Sequence, residues 1–319
     1  MLEVKATRVD EYQYRSQVTS AILDFSGSIF YHPDFLKVAS EILNLTFQPV
    51  ICHASEELVG IANIFTSSKF NVKTAIIPQL FQYYGPISLT SVNGIFESVC
   101  KVIKNNVDMA VFSLTAEEYP KSSYSGWQKA ERLTYYLTPD TFENMKGRCF
   151  ADVKNKVNKA IKSGVKVVAA DRFPYELYEA SFKRKDVKPP LDKATTINWV
   201  ERLTRLKLAE TYIAVVDEKP TAFRTQLMYK SYAYDWLAGS DASYGKLGVN
   251  QFLLLKIGER HYHNGVKNWD LLGGDIKSIG DFKKSFGSTP KTHLQIEKNF
   301  SLKGKIYRKL MKFKAGFNG

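Results

Sequence analysis

Long apolar runs are missing from this 319-residue sequence. No stretch approaches the roughly 20 consecutive apolar residues of a membrane-spanning helix, so the chain is not expected to cross a bilayer. Met1–Asp10 is mixed and charged and lacks the apolar centre of a secretory signal, so a cytoplasmic location is expected. Cysteine is scarce: Cys52, Cys100 and Cys149 are far apart and form no C-x-x-C pair. That count and spacing argue against a disulfide framework and a zinc site, and reduced, buried thiols are expected instead. Acid is also short, 32 Asp plus Glu against 45 Lys plus Arg, for a net charge of +13. Such an excess favours anionic partners such as phosphates, nucleotides, nucleic acid or an acidic membrane face. It is concentrated in two places. Lys146, Arg148, Lys154, Lys156, Lys159, Lys162 and Lys166 face one acid, Asp152, and Lys303–Lys314 holds basic residues and no acid.

What is present, 44% apolar and 24% charged residues, is the composition of a globular protein with one large or two ordinary domains. Apolar periodicity then gives an order of elements that occurs twice. Asp34 caps a helix with Phe35, Val38, Ala39 and Ile42 on one face. Strands follow at Phe47–His53, Leu58–Thr66 and Ala75–Tyr84, the last stopped by Gly85-Pro86. A helix with Ile95, Phe96, Val99, Val102 and Ile103 on one face precedes a strand at Val107–Leu114. The second half repeats helix (Thr196–Lys207, with Val200, Leu203 and Leu206 inward), strands (Thr211–Val216, Pro220–Tyr229, Ser231–Ala238), helix (Asn250–His263) and strand (Val266–Leu272). The period is about 160 residues. Between the copies, Ala151–Ser163 reads as a lysine-rich helix with Val153, Val157, Ala160 and Ile161 inward, ended by Gly164. Lys183–Pro190 reads as a mobile loop, since charge and two prolines oppose regular structure. The fold class expected is α/β with mixed sheets.

Two segments of the second copy carry chemistry. In Ser240–Asn250 (SDASYGKLGVN), Gly245 and Gly248 permit close backbone approach, Lys246 adds charge, and the following helix start offers N–H groups to an anion. In Trp269–Gly287 (WDLLGGDIKSIGDFKKSFG), Lys283 or Lys284 can meet a phosphate or a developing oxyanion. On pattern alone the competing reading is stronger, with Phe282 and Phe286 in the core and both lysines in solvent. General bases are few. His261 and His263 lie on the helix after the loop and have no third ligand for a metal. Asp235 alternates with Tyr234 and Trp236 on a strand, and Asp275 ends one.

The Trp269–Gly287 run resembles the C-terminal signature of the FemAB-like branch of the GNAT acyltransferases, a strand ending in glycines before F-K-x-x-F-G. Phe282, Lys283, Phe286 and Gly287 match it. Tyr234–Gln251 is similar to the family's strand and donor loop, with Leu247 standing where a glycine is common. The helix ending Lys159-Ala160 and Ser163-Gly164 resembles its basic interdomain helix. Tyr31–Leu36 and Tyr84-Gly85-Pro86 resemble members linked to envelope polysaccharides. The resemblance runs from about residue 30 to 290.

It implies two tandem GNAT-like domains, 1–145 on the acceptor side, joined by the 300–319 tail, and 146–299 on the donor and catalytic side. It implies transfer of an acyl group to an amine of a bacterial envelope precursor, an amino sugar or peptide, nucleotide-linked or lipid-linked. Acyl-CoA is the implied donor, with aminoacyl-tRNA as the alternative, which would make tRNA a partner of the 146–166 helix; no metal is implied. By the same resemblance Lys283 stabilises the transition state and Asp235 is the leading base. Tyr244, Gly245, Lys246, Gly248, Asn250 and Gln251 hold the donor, and Tyr84, Arg148, Tyr234 and Phe282 meet the acceptor. A non-catalytic RNA- or membrane-binding protein is the reading from another class. The tail places Ile306, Leu310 and Phe313 on one helix face, either against an anionic inner membrane or, as favoured here, packed back onto the first copy.

Overall fold

A computed structural model describes residues 3–20, 25, 27–118 and 124–317. The chain forms two compact units, 1–132 with 292–319, and 133–291. No helix among the described residues is long and apolar enough to cross a membrane.

In the first unit the elements are β1 (Lys5–Arg8), α1 (Glu11–Ser20), α2 (Pro33–Leu43), β2 (Thr46–Ala54), β3 (Glu57–Lys69), β4 (Val72–Ala75), β5 (Pro86–Ser88), α3 (Ile95–Ile103) and β6 (Met109–Leu114). Helix α2 is capped by His32 and not by Asp34, which lies in its first turn. His32 accepts the Asp34 N–H at 3.2 Å, Pro33 fixes the first turn, and left-handed Asn44 ends it. Ser55 and Glu56, both at positive φ, turn β2 back onto β3. The strand expected over Ala75–Tyr84 is shorter. Strand β4 stops at Ala75 and 76–85 runs irregularly, because Pro78 lacks a donor and Leu80 adopts a φ of 65°. Gly85 keeps that segment close, since a Cβ there would sit 2.9 Å from the Phe112 side chain.

The second unit is reached through β7 (Gln128–Leu137). It continues with α4 (Phe142–Arg148), α5 (Ala151–Lys162), β8 (Lys166–Ala169), α6 (Tyr175–Lys183), α7 (Lys193–Arg205), β9 (Ala209–Val216), β10 (Lys219–Tyr229), β11 (Tyr232–Ser240), α8 (Val249–His263), β12 (Asn268–Asp270) and α9 (Lys277–Lys284). Strand β13 (Thr289–Asn299) and α10 (Leu302–Phe317) return to the first unit.

The strand orders are β1-β2-β3-β4-β6-β13 and β8-β9-β10-β11-β12-β7. They match step for step. Three antiparallel pairings are followed by one parallel pairing, β4 with β6 and β11 with β12, and then by an antiparallel strand. In each unit the final strand comes from outside the repeated segment, so β7 and β13 escape a reading based on the repeat alone.

Helix α8 is apolar around much of its circumference, with Leu253, Leu254, Leu255 and Ile257 fully buried, and it anchors the second unit's core. Ile161 and Leu206, expected inward, are exposed near their helix ends, while Trp199 fills the interior beneath α7. After α6 the chain folds back, with the Val187 N–H on the Phe182 carbonyl at 3.2 Å and Asp186 at a φ of 53°; the expected loop at 183–190 is therefore tied to the helix end.

Gly248 sits at a φ of 73°, and a Cβ would lie 2.4 Å from the Lys156 carbonyl oxygen of α5. Strain and overlap together predict that Gly248→Ala lowers unfolding free energy by about 2–4 kcal/mol. A urea midpoint unchanged within error would contradict this reading.

Candidate active site

Strand β10 reads TAFRTQL, and all seven positions are buried. A charged and an amide side chain on such a strand need partners, because an unpaired polar group in an apolar interior is costly. Arg224 finds Asp235 of β11, and its Nε donates to Asn250 of α8 at 3.1 Å. Gln226 donates to the other Asp235 oxygen at 2.7 Å, and its own oxygen accepts Trp269 Nε1–H at 2.8 Å. The Arg224 guanidinium lies 5.6 Å from the centre of the Phe282 ring.

Strand geometry opens a cleft here. Strand β11 carries one extra residue at Trp236, where the register against β10 shifts between Thr225/Leu237 and Gln226/Asp235. Its parallel pairing with β12 covers only Tyr232–Tyr234. From Asp235 onward the two strands part, and a cleft of about 300 Å³ lies among Arg184, Arg224, Asp235, Asn250, Phe282 and Lys283.

The WDLLGG turn builds one wall. The Asp270 carboxylate accepts the Thr134 hydroxyl and the Leu272 N–H, the latter at 2.8 Å, holding Leu272 at a φ of 53°. That turn aims the Leu272 and Gly273 carbonyls at Lys283 Nζ, which donates to both. Gly274 and Gly280 leave room for Tyr135, since a Cβ on either would meet its ring or hydroxyl within 2.9 Å. Lys283 is only 8% exposed. Burial lowers its ammonium pKa to about 8, partly opposed by the nearby carboxylates of Asp235 and Asp270. Of the two lysines left open by pattern, Lys284 is the one in solvent.

Asp235, Asn250, Phe282 and Lys283 are thus brought together. The other expected site residues lie elsewhere. Tyr84 belongs to the first unit, fully buried, its hydroxyl bonded to the Phe65 backbone. Arg148 holds the Thr138 carbonyl at 2.8 Å, and Tyr234 is enclosed in its sheet. Tyr244, Gly245 and Lys246 form a 3-10 turn, Ala242–Leu247, with Tyr244 under Lys219. Gly248 and Gln251 flank Asn250 at the start of α8, which no side chain caps. Asp275 is engaged by the Leu133 N–H at 2.9 Å. His261 is fully buried, burial holds its pKa down at about 3, and its Nδ1 finds no partner among the described residues. His263 is exposed. The three cysteines are free, and burial pushes the Cys149 thiol up to about 11.

Sequence pattern alone does not single out Arg224 and Gln226. Their signal was an arginine and a glutamine inside an otherwise apolar strand, where only paired polar groups persist.

Chemically, the cleft offers a buried cation beside a strand edge that diverges from its neighbour. Such an arrangement can hold an extended chain along β11 and stabilise negative charge developing near Nζ.

Residues 147–284 match the model of an acetyltransferase (GNAT) domain. No curated protein matches the sequence. Among solved structures, FemX is similar over 95% of this chain and 99% of its own, at 10% identity and a TM-score of 0.68. L-PGS from Bacillus licheniformis is similar over 93% and 95%, at 10% identity and a TM-score of 0.58. A tandem GNAT protein from the clavulanic acid biosynthesis pathway is similar over 94% and 99%, at 8% identity and a TM-score of 0.55. At such identities the likeness is one of fold.

Proposed function

We propose, from the match of residues 147–284 to an acetyltransferase (GNAT) domain, that the chain moves an acyl group from a thioester to an amine of a bacterial envelope precursor, an amino sugar or a peptide. The observation that carries this reading is Lys283, a buried ammonium held by two carbonyls where β11 and β12 part.

In the proposed reaction the neutral acceptor amine attacks the thioester carbonyl. A C–N bond forms, and the carbonyl oxygen becomes an oxyanion that Lys283 stabilises. Collapse breaks the C–S bond, the nitrogen loses its proton, and the products are an amide and a thiol. Arg224, fixed by Asp235, Gln226 and Asn250, is a positioning group for the cleft wall. With both oxygens occupied, Asp235 acts through Arg224 more readily than as a base. The uncapped start of α8, Gly248–Gln251, suits the donor's phosphates, with Lys246 and Tyr244 on the adjoining turn.

A second reading has its own observation. On α5 the basic residues Lys159 and Lys162 are exposed and followed by exposed Lys166, a surface suited to RNA phosphates and hence to an aminoacyl-tRNA donor.

A thermal-shift titration separates the two. An acyl-CoA donor at about 100 times its Kd stabilises the native chain by about 2.7 kcal/mol. Transfer that requires aminoacyl-tRNA and is abolished by RNase, with no response to thioesters, would sink the thioester reading.

A further inference from the structure

Helix α10 presents its apolar stripe outward. Leu302, Ile306 and Leu310, spaced by one turn each, are 72%, 52% and 57% exposed. At 100° per residue, Lys305 and Lys309 border this stripe on one side and Lys303 on the other. All three lysines are exposed.

The opposite face is fixed in place. A Cβ on Gly304 would lie 2.3 Å from the Asp108 carbonyl oxygen, so helix and loop are in direct contact there. Ser301 donates to Asp108 Oδ1 at 2.5 Å, and Arg308 is bonded to Glu297 and Gln128. The helix cannot roll its leucines inward without breaking these contacts. The tail contacts the first unit through Gly304 and Arg308, while Ile306 and Leu310 stay exposed. Phe313's side chain lies outside the described residues.

We propose that α10 is a membrane-surface helix, seating Leu302, Ile306 and Leu310 at the acyl-chain boundary of an anionic bilayer while its lysines meet lipid phosphates. Charge selects the occupant. Lys303–Lys314 contains no acid, and its exposed Lys303, Lys305 and Lys309 flank the stripe, while Arg308 is paired with Glu297 on the opposite face. A second copy docked on the same stripe would set lysine against lysine. RNA would leave the three central apolar side chains without a matching surface. An amphipathic stripe flanked by lysines matches the layered chemistry of an acidic lipid face. Attachment through α10 does not depend on which donor or acceptor the second unit uses.

The test is co-sedimentation of the full chain with vesicles of phosphatidylcholine alone or with a quarter phosphatidylglycerol. Binding is expected to the anionic vesicles, weaker by about 100-fold on neutral ones, and released by high salt. Two variants discriminate. Leu302→Ser/Ile306→Ser/Leu310→Ser alters exposed positions only and abolishes binding with an unchanged circular dichroism spectrum. Lys303→Glu/Lys305→Glu/Lys309→Glu does the same. Equal binding by the triple-serine variant, or no binding by the parent chain, overturns the proposal. So does concentration-dependent dimerisation that Ile306→Ser removes, which would assign the stripe to a second copy.

Discussion

Lys283→Ala is expected to lower kcat by about 10²–10³ while leaving the fold intact, the loss seen when one preorganised oxyanion donor is removed. The side chain reaches from α9 to the Leu272 and Gly273 carbonyls, and Ala deletes both the charge and its aim. Gly273 is exposed, so water can replace the bond lost there, and far-UV circular dichroism should not change. A pH series adds a second readout. Burial holds the ammonium pKa near 8, so activity that needs the charged form declines as pH rises through about 8. Lys283→Arg, whose charge does not titrate in this range, should show no such decline in its remaining activity. Stability moves the other way. The unfolded chain binds the extra proton between about 8 and the ordinary lysine value of 10.5, so Lys283 makes the protein more stable as pH rises across that window. Parent-level turnover in Lys283→Ala would remove this residue from the mechanism.

The second large effect is on folding. Asp235→Ala is expected to cost about 3–5 kcal/mol, because it strands the Arg224 guanidinium in an interior where both side chains are 4% exposed. Gln226 loses an acceptor as well, and the chain that links it to Trp269 is interrupted. Asp235→Ala/Arg224→Met removes both charges and should recover much of that stability without recovering activity. Chemical denaturation of the three proteins measures the coupling. If the single variant unfolds at the parent midpoint, the ion pair contributes nothing and the cleft wall is held by other contacts.

The repeated order was legible because each copy alternates apolar faces at helical and strand spacing, and Asn264-Gly265 and Gly164 end helices where the pattern stops. Strands β7 and β13 were not. They complete sheets whose other members lie far away in sequence, and periodicity carries no information about such partners. At the site, Lys283 was selected by resemblance, since a lysine on a short helix next to two phenylalanines is ambiguous on pattern. What buries it is the αL turn at Leu272, set by an Asp270–Thr134 bond across the sheet. Arg224 lay in plain view on β10, but its significance depends on Asp235 and Asn250, which only the folded chain brings alongside.

The crossed supply of final strands has a consequence for how the protein is made. Residues 133–291 are contiguous and can fold as soon as they leave the ribosome. The first unit cannot. Leu114 waits for Leu294, and β6 keeps an open edge until β13 has been synthesised. The half translated first should therefore finish last, and nascent chains stalled before β13 are the ones expected to engage chaperones or pair edge to edge.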